Sequence, residues 1–169
     1  CKANTTKATA LVWAKNGAPY DESSYIREEV ARGNIKKANS LLGYPYFIMG
    51  RVVHGKQLGR TLGIPTINII PEAEKILPPF GVYASKVNVS DKWYLGITNI
   101  GRKPTIEGEN PVGVETYIID FSQDVYDHVV TVELYDFLRP EKKFDSIEEL
   151  KEQISGDIVK VIKYYGNVT

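Results

Sequence analysis

Apolar residues recur along this chain at two different spacings, and the change between them divides the sequence. Over residues 23–42 the interval is helical, with Ile26, Val30, Ile35 and the pair Leu41-Leu42 supplying the apolar positions. Gly33-Asn34 interrupts that run. Asn34 is suited to cap a second helix and Gly43 to stop it, so two short helices are expected. After Pro45 the texture becomes that of strands: residues 46–53, 64–70, 82–89, 93–100, 112–119 and 129–138 are rich in aromatic and β-branched side chains. Gly, Pro and Asn/Asp clusters separate them, and Asp91-Lys92 is expected to turn a hairpin between the third and the fourth. Short strands at this spacing suit a small closed or nearly closed barrel. Near the end, Ser146 and Glu149 have capping-box spacing. Ile147, Leu150, Ile154, Ile158, Val161, Ile162 and Tyr165 then fall on one face of a helix that Gly166 ends. Gly156 costs that helix about 1 kcal/mol relative to Ala and marks a place for a break or kink. Upstream of residue 23, residues 10–13 suit a short strand and Asn16-Gly17 a turn.

With 169 residues, 43% of them hydrophobic, the chain is long enough for one domain and a short extra segment. Lys+Arg and Asp+Glu both total 21, a balance that argues against a nucleic-acid surface or a membrane patch while leaving room for a local basic pocket. The single cysteine, Cys1, permits no internal disulfide. The longest apolar runs are too short to span a bilayer, and the first residues have no signal-peptide pattern. The start without Met reads as a fragment or a processed chain. Asn-x-Ser/Thr triplets stand at Asn4, Asn88 and Asn167; without a secretion signal they read as unmodified, with the cytoplasm as the default compartment.

The most unusual stretch runs from Gly50 to Asn68. It holds Gly50, Gly55, Gly59 and Gly63, with Arg51, Lys56 and Arg60 among them, and ends Pro65-Thr-Ile-Asn68. Glycine lets a backbone approach phosphate and present its N–H groups, and nearby cations supply charge. A hairpin loop that needs glycine for its turns has the same composition, and the two readings stand level. Gly50 to Lys56 also matches the first seven positions of a P-loop, but Gln57 lacks the hydroxyl required next and Arg51 to Val53 reads as strand, which excludes that motif. Thr66 and Asn68 alternate on one strand and so share a face; their oxygens suit a hard cation, although the residues alone read more simply as the wet face of a strand. Glu115 lies opposite Val114 and Thr116 in strand alternation, either a functional carboxylate at the barrel's inner or rim face or an exposed strand residue. His54 and His128 are isolated and read as structural or solvent-facing. No zinc spacing and no Gly-x-Ser-x-Gly elbow is present.

Taken in order, several motifs resemble those of the riboflavin kinase family. They are Gly50-Arg-Val-Val-His-Gly55, Leu62-Gly-Ile-Pro-Thr-Ile-Asn68, Gly81-Val-Tyr83, Asn99-Ile-Gly101 with Pro104-Thr105, Val114-Glu-Thr116, Asp120-Phe121 and Phe137-Leu-Arg-Pro-Glu-Lys-Lys-Phe144. The likeness spans residues 46–165, and Asp145-Ser-Ile-Glu-Glu-Leu150 continues the last motif. Ser23-Ser-Tyr-Ile-Arg27 and residues 33–43 look like the end of the adenylyltransferase module of bacterial bifunctional riboflavin kinase/FAD synthetases. That module's paired-histidine signature is missing here and Tyr25 stands where Thr is usual, so adenylyl transfer is not expected.

The resemblance implies a mainly β fold: a six-stranded antiparallel Greek-key barrel with a C-terminal helix, preceded by two short helices. It divides the chain into a segment 1–44, the remnant or end of an adenylyltransferase module, and a kinase domain 45–169. It implies phosphorylation of the ribityl 5′-hydroxyl of riboflavin by ATP, with Mg2+ or another divalent metal, giving FMN and ADP. Thr66 and Asn68 are then the metal ligands and Glu115 the catalytic base. Gly50, Gly55 and Arg60, with Thr66 and Asn68, hold ATP, and Arg139 and Phe144 meet the flavin. Two residues depart from the family pattern: Ile67 replaces a small Ala, and Tyr117 replaces a His two residues after Glu115. The rival readings are a flavin-binding regulatory module without catalysis and a small barrel that binds single-stranded nucleic acid. The zero net charge weighs against the second.

Overall fold

The computed structural model describes residues 12–13, 19–20, 22–54, 63–102 and 112–166. Two short strands, β1 (Val12–Trp13) and β2 (Pro19–Tyr20), pair with each other, and two helices follow, α1 (Glu22–Ala31) and α2 (Ile35–Leu42). Gly43 ends α2 in the left-handed region (φ 75°), its N–H reaching Asn39 O. Asn34 sits at the start of α2 but its side chain caps nothing there; it donates to Glu29 Oε2 at 2.8 Å and so ties the two helices together.

Six strands then close a barrel: β3 (Tyr46–Val53), β4 (Thr66–Ile69), β5 (Gly81–Val89), β6 (Lys92–Arg102), β7 (Val112–Ile118) and β8 (Val129–Arg139). Round the barrel the order is β3-β4-β7-β6-β5-β8, with β8 returning to β3 and every pairing antiparallel. The connections β4 to β5 and β7 to β8 skip neighbours, which makes the path a Greek key. The strands arise where alternation predicts them. The expected hairpin turn, however, is Ser90-Asp91 rather than Asp91-Lys92. Both turn residues have positive φ (49° and 63°), and Val89 already pairs with Lys92. A two-residue hairpin loop of this kind needs two left-handed residues, which Asp tolerates better than Lys.

Alternation fills the barrel with the inward set, including Ile48, Val52, Ile67, Ile69, Val87 and Val114. Ile67, the large residue where the family pattern has a small one, is thus a core residue. Gly50 faces the same interior, and a Cβ there would overlap Ile69 Cγ2; its lack of a side chain is a packing requirement. Tyr83 is fully buried, donates its hydroxyl to Pro79 O, and is held neutral by burial, its pKa pushed up to about 12. The interior polar groups are mutually satisfied: Thr98 Oγ1 lies 2.7 Å from Ser85 Oγ and 2.9 Å from Thr116 Oγ1. Helix α2 belongs to this core as well. Ile35 packs into it, and Asn39 accepts from Tyr46 N–H (2.7 Å) while donating to Leu134 O (2.9 Å).

The last helix, α3 (Ile147–Gly166), lies on the outer wall, where Val82, Ala84 and Ile97 meet Val161, Ile154 and Ile158. Ser146 Oγ accepts from Glu149 N–H at 3.2 Å, half of the expected capping box. The helix runs unbroken through Gly156, at which a Cβ would touch nothing. Its buried face follows the apolar stripe of the sequence at Ile154, Ile158, Val161 and Tyr165 and departs from it at three positions. Ile147 and Ile162 are exposed, and Asp157 is fully buried. The carboxylate can be inside because the wall offers it a cation: Arg139 Nε donates to Asp157 Oδ2 at 2.8 Å, and Gln153 and Lys160 complete its shell.

Candidate active site

Strand alternation turns Ile67 and Ile69 inward and therefore Thr66 and Asn68 outward; on β7 it turns Val114 and Thr116 inward and Glu115 and Tyr117 outward. The register brings the outward residues together. Asn68 pairs with Glu115, and Glu115 pairs on its other side with Asn99 of β6. Thr66 stands diagonal to Glu115 and donates its hydroxyl to Glu115 Oε1 at 2.6 Å. The three residues expected from sequence to hold a metal and a base are thus one group on the outer wall of the barrel, not at its inner face.

Two oxygens in this group are buried and have no hydrogen-bond partner among the described residues: Asn68 Oδ1 and Asn99 Oδ1. An orphaned buried acceptor costs about 1–3 kcal/mol unless water or a ligand satisfies it, so a pair flanking a carboxylate marks a place where a ligand could bind. Thr66 Oγ1, Asn68 Oδ1 and the Glu115 carboxylate are hard oxygen donors of the kind magnesium takes. Among the described residues no cluster of three or more His, Cys, Asp or Glu could hold a metal. A cation here would draw its remaining ligands from water or phosphate, as magnesium at nucleotide sites does.

The wall continues beyond Asn99. Asn99 pairs with Val82 on β5, and Val82 with Arg139 at the end of β8. Asn99 Nδ2 donates to Glu141 Oε1 at 3.0 Å. The same Glu141 carboxylate lies so close over Gly101 that a Cβ there would overlap it. Arg139, besides its bond to Asp157, places its guanidinium 5.8 Å from the centre of the Phe144 ring. The two residues expected to meet a flavin are therefore neighbours, Arg139 at the end of β8 and Phe144 in the β8–α3 connection, with Arg139 on the opposite side of Asn99 from Glu115. Tyr117 pairs with Thr66 and packs against the apolar layer beneath α3. His54 stacks on Tyr126 with ring centres 3.8 Å apart, a packing role. Gly50 turns toward the core, which leaves only its backbone to meet a ligand; Gly55 and Arg60 lie outside the described residues. Sequence reasoning did not single out Asn99, Glu141 or Asp157. Asn99 stands in one of the quoted motifs, but its pairing with Glu115 is a matter of register, and Glu141 in Glu-Lys-Lys reads as a solvated charge run.

A family model described as riboflavin kinase, or flavokinase, matches residues 42–165. The bifunctional riboflavin kinase/FMN adenylyltransferase of Bacillus subtilis is 45% identical over 148 residues, covering 86% of this chain and 47% of its own length. This chain thus spans about half the length of the curated relatives it matches. A crystal structure of a protein named as a macrolide-efflux protein, from Streptococcus pneumoniae, superposes with a TM-score of 0.75 at 35% identity, covering 87% of this chain and 47% of that one. Among the described residues no helix is long and apolar enough to cross a membrane. The riboflavin kinase of Trypanosoma brucei shares the fold, with a TM-score of 0.51 at 24% identity over 71% of this chain and 79% of its own.

Proposed function

The chain belongs to the riboflavin kinase family, and on that premise we propose that it transfers the γ-phosphoryl group of ATP to the ribityl 5′-hydroxyl of riboflavin, yielding FMN and ADP. The observation that carries this reading is the Thr66–Glu115 hydrogen bond beside the unpartnered carbonyl oxygen of Asn68. It joins a carboxylate able to accept a proton to two oxygens able to hold a hard cation.

In the proposed reaction the 5′-oxygen forms a bond to the γ-phosphorus as the bridging bond to the β-phosphate breaks, and the hydroxyl proton passes to Glu115. Thr66 keeps the carboxylate aimed. Its proton is committed to Glu115, which leaves the lone pairs of Oγ1 free to face a cation. Magnesium bound by Thr66 and Asn68 would neutralise charge on the phosphates. Gly50, Gly55 and Arg60 are proposed to hold the phosphates of ATP, and Arg139 and Phe144 the flavin. Because phosphoryl transfer asks little covalent chemistry of a protein, positioning and electrostatics supply most of the acceleration.

The test is to incubate the protein with riboflavin, ATP and magnesium chloride and to separate the flavins by chromatography. FMN and ADP should form in equal amounts. Riboflavin binding without turnover would leave a flavin-binding module in place of an enzyme, and neither binding nor turnover would end the reading.

A further inference from the structure

Asn99 is drawn to attention by its environment. Its carbonyl oxygen is buried with no partner among the described residues, while its amide nitrogen is committed to Glu141. An ionised carboxylate only accepts hydrogen bonds, so Glu141 fixes which end of the Asn99 amide faces it and turns Oδ1 the other way. That oxygen is therefore oriented, dry and unused.

A share in the cation site fails on distance. Asn68 and Asn99 stand on either side of Glu115, two strand spacings or about 10 Å apart at their Cβ atoms. A carbonyl oxygen lies roughly 2.4 Å from its Cβ by standard bond lengths. Leaning toward each other, the two oxygens stay about 5 Å apart, whereas ligands of one magnesium ion are at most about 4.2 Å apart. The outward curvature of the barrel spreads them further, and the Glu115 side chain stands between. Asn99 Oδ1 must instead accept from a hydrogen-bond donor on the far side of Glu115 from Thr66 and Asn68.

We infer that this donor is a hydroxyl of the substrate's polyol chain, and that Asn99, oriented by Glu141, is the residue that reads it. The inference rests on the function proposed above. It follows from the order of groups along the wall: cation-binding oxygens at Thr66 and Asn68, the carboxylate of Glu115, then Asn99, then Arg139 with Phe144. If the terminal hydroxyl reaches Glu115, the next hydroxyls of the same chain pass Asn99 one strand spacing away, and the planar ring extends toward the guanidinium and aromatic ring. Glu141 is a positioning residue, acting only through the Asn99 amide.

The test uses the full chain and two ligands: riboflavin, and lumiflavin, which has the same ring with a methyl group in place of the polyol. Asn99→Ala should raise KM for riboflavin about tenfold, as the loss of one hydrogen bond implies. KM for ATP, the magnesium midpoint and the inhibition constant of lumiflavin should stay within about twofold of the parent. Glu141→Ala, a change at an exposed side chain, should move the same constant in the same direction, and the double variant should be no worse than Asn99→Ala alone. An unchanged KM for riboflavin would overturn the inference while leaving the kinase reading intact. So would a shifted magnesium midpoint, which would make Asn99 a metal ligand, or an equal loss of lumiflavin affinity, which would place the contact on the ring or reveal a damaged fold. Parent protein that neither binds nor phosphorylates riboflavin would instead sink the function itself.

Discussion

Glu115 and Thr66 share a hydrogen bond of 2.6 Å, and the two side chains have separable duties that substitution can tell apart. Glu115→Gln keeps the shape and removes the proposed proton acceptor. It should lower kcat by about 10²–10⁴-fold, the usual worth of a general base, with KM for ATP nearly unchanged. Steady-state kinetics showing a loss of less than about threefold would remove Glu115 from that role. Asn68→Ala removes a proposed cation ligand and leaves the Thr66–Glu115 hydrogen bond in place, so it should raise the magnesium concentration needed for half activity. Thr66→Ala removes a proposed ligand and the hydroxyl that holds the proposed base, so at saturating magnesium it should still be slow where Asn68→Ala recovers. Equal magnesium midpoints for both variants and the parent would show that the cation is held elsewhere. That Thr66 and Asn68 share a face, and that Glu115 lies opposite Val114 and Thr116, was legible in the sequence because alternation is set within one strand; the roles given to them came from the resemblance to the riboflavin kinase family. Asn99 and Glu141 were not legible, because what defines them is a partner on another strand or across a loop.

At the scale of elements, α3 is fastened to the barrel by a charge pair as well as by its apolar face. Asp157 is fully buried and Arg139 is 17% exposed, so their contact is shielded from water and salt in a way that surface pairs are not. Asp157→Ala leaves a guanidinium on the wall without its partner, and breaking a buried pair from one side costs about 3–5 kcal/mol. Urea unfolding should show that loss; a loss under about 1 kcal/mol would mean the pair behaves as an exposed one. Because Arg139 is also the residue proposed to meet the flavin, the same variant should weaken riboflavin binding through the freed arginine. The strands were legible to within one or two residues, since alternation is a local property and both faces of each strand meet different surroundings. The helix was legible in extent and in most of its buried face: Ile154, Ile158, Val161 and Tyr165 pack as the stripe predicts, while Ile147 and Ile162 do not. Asp157 looks like a solvent residue until Arg139, eighteen positions earlier, is seen to face it. The hairpin at Ser90-Asp91 was misplaced by one residue because composition marks a turn, whereas register fixes which residues take the left-handed backbone.

For the whole molecule, the packed interior decides where ligands go. Six strands enclose only enough space for side chains, and here that space is filled by residues such as Ile48, Tyr83 and Val114. Substrates are therefore proposed to lie on the outer wall, beside Thr66, Asn68, Glu115 and Asn99. One such wall orders one reaction, and that leads to an expectation for the 169-residue polypeptide: given riboflavin and excess ATP, it should stop at FMN. Making FAD requires FMN to attack the α-phosphate of a second ATP, and so a second nucleotide site. The group at Thr66, Asn68 and Glu115 is proposed to serve one transfer, from the γ-phosphate to a polyol hydroxyl. The helix next to β3 is committed elsewhere. Ile35 of α2 is in the barrel core and Asn39 holds β3 to β8. An α/β nucleotide-binding domain takes typically about 100–150 residues, whereas 45 residues precede Tyr46 in this polypeptide. The relatives named as bifunctional have about twice the length covered here, room for such a domain. A long incubation with pyrophosphatase, which draws any slow adenylyl transfer forward, gives the sharpest measurement. FMN should accumulate alone on chromatography. FAD made by the purified polypeptide would mean that residues before Tyr46 build a nucleotide site, or that the outer wall accepts ATP in a second orientation.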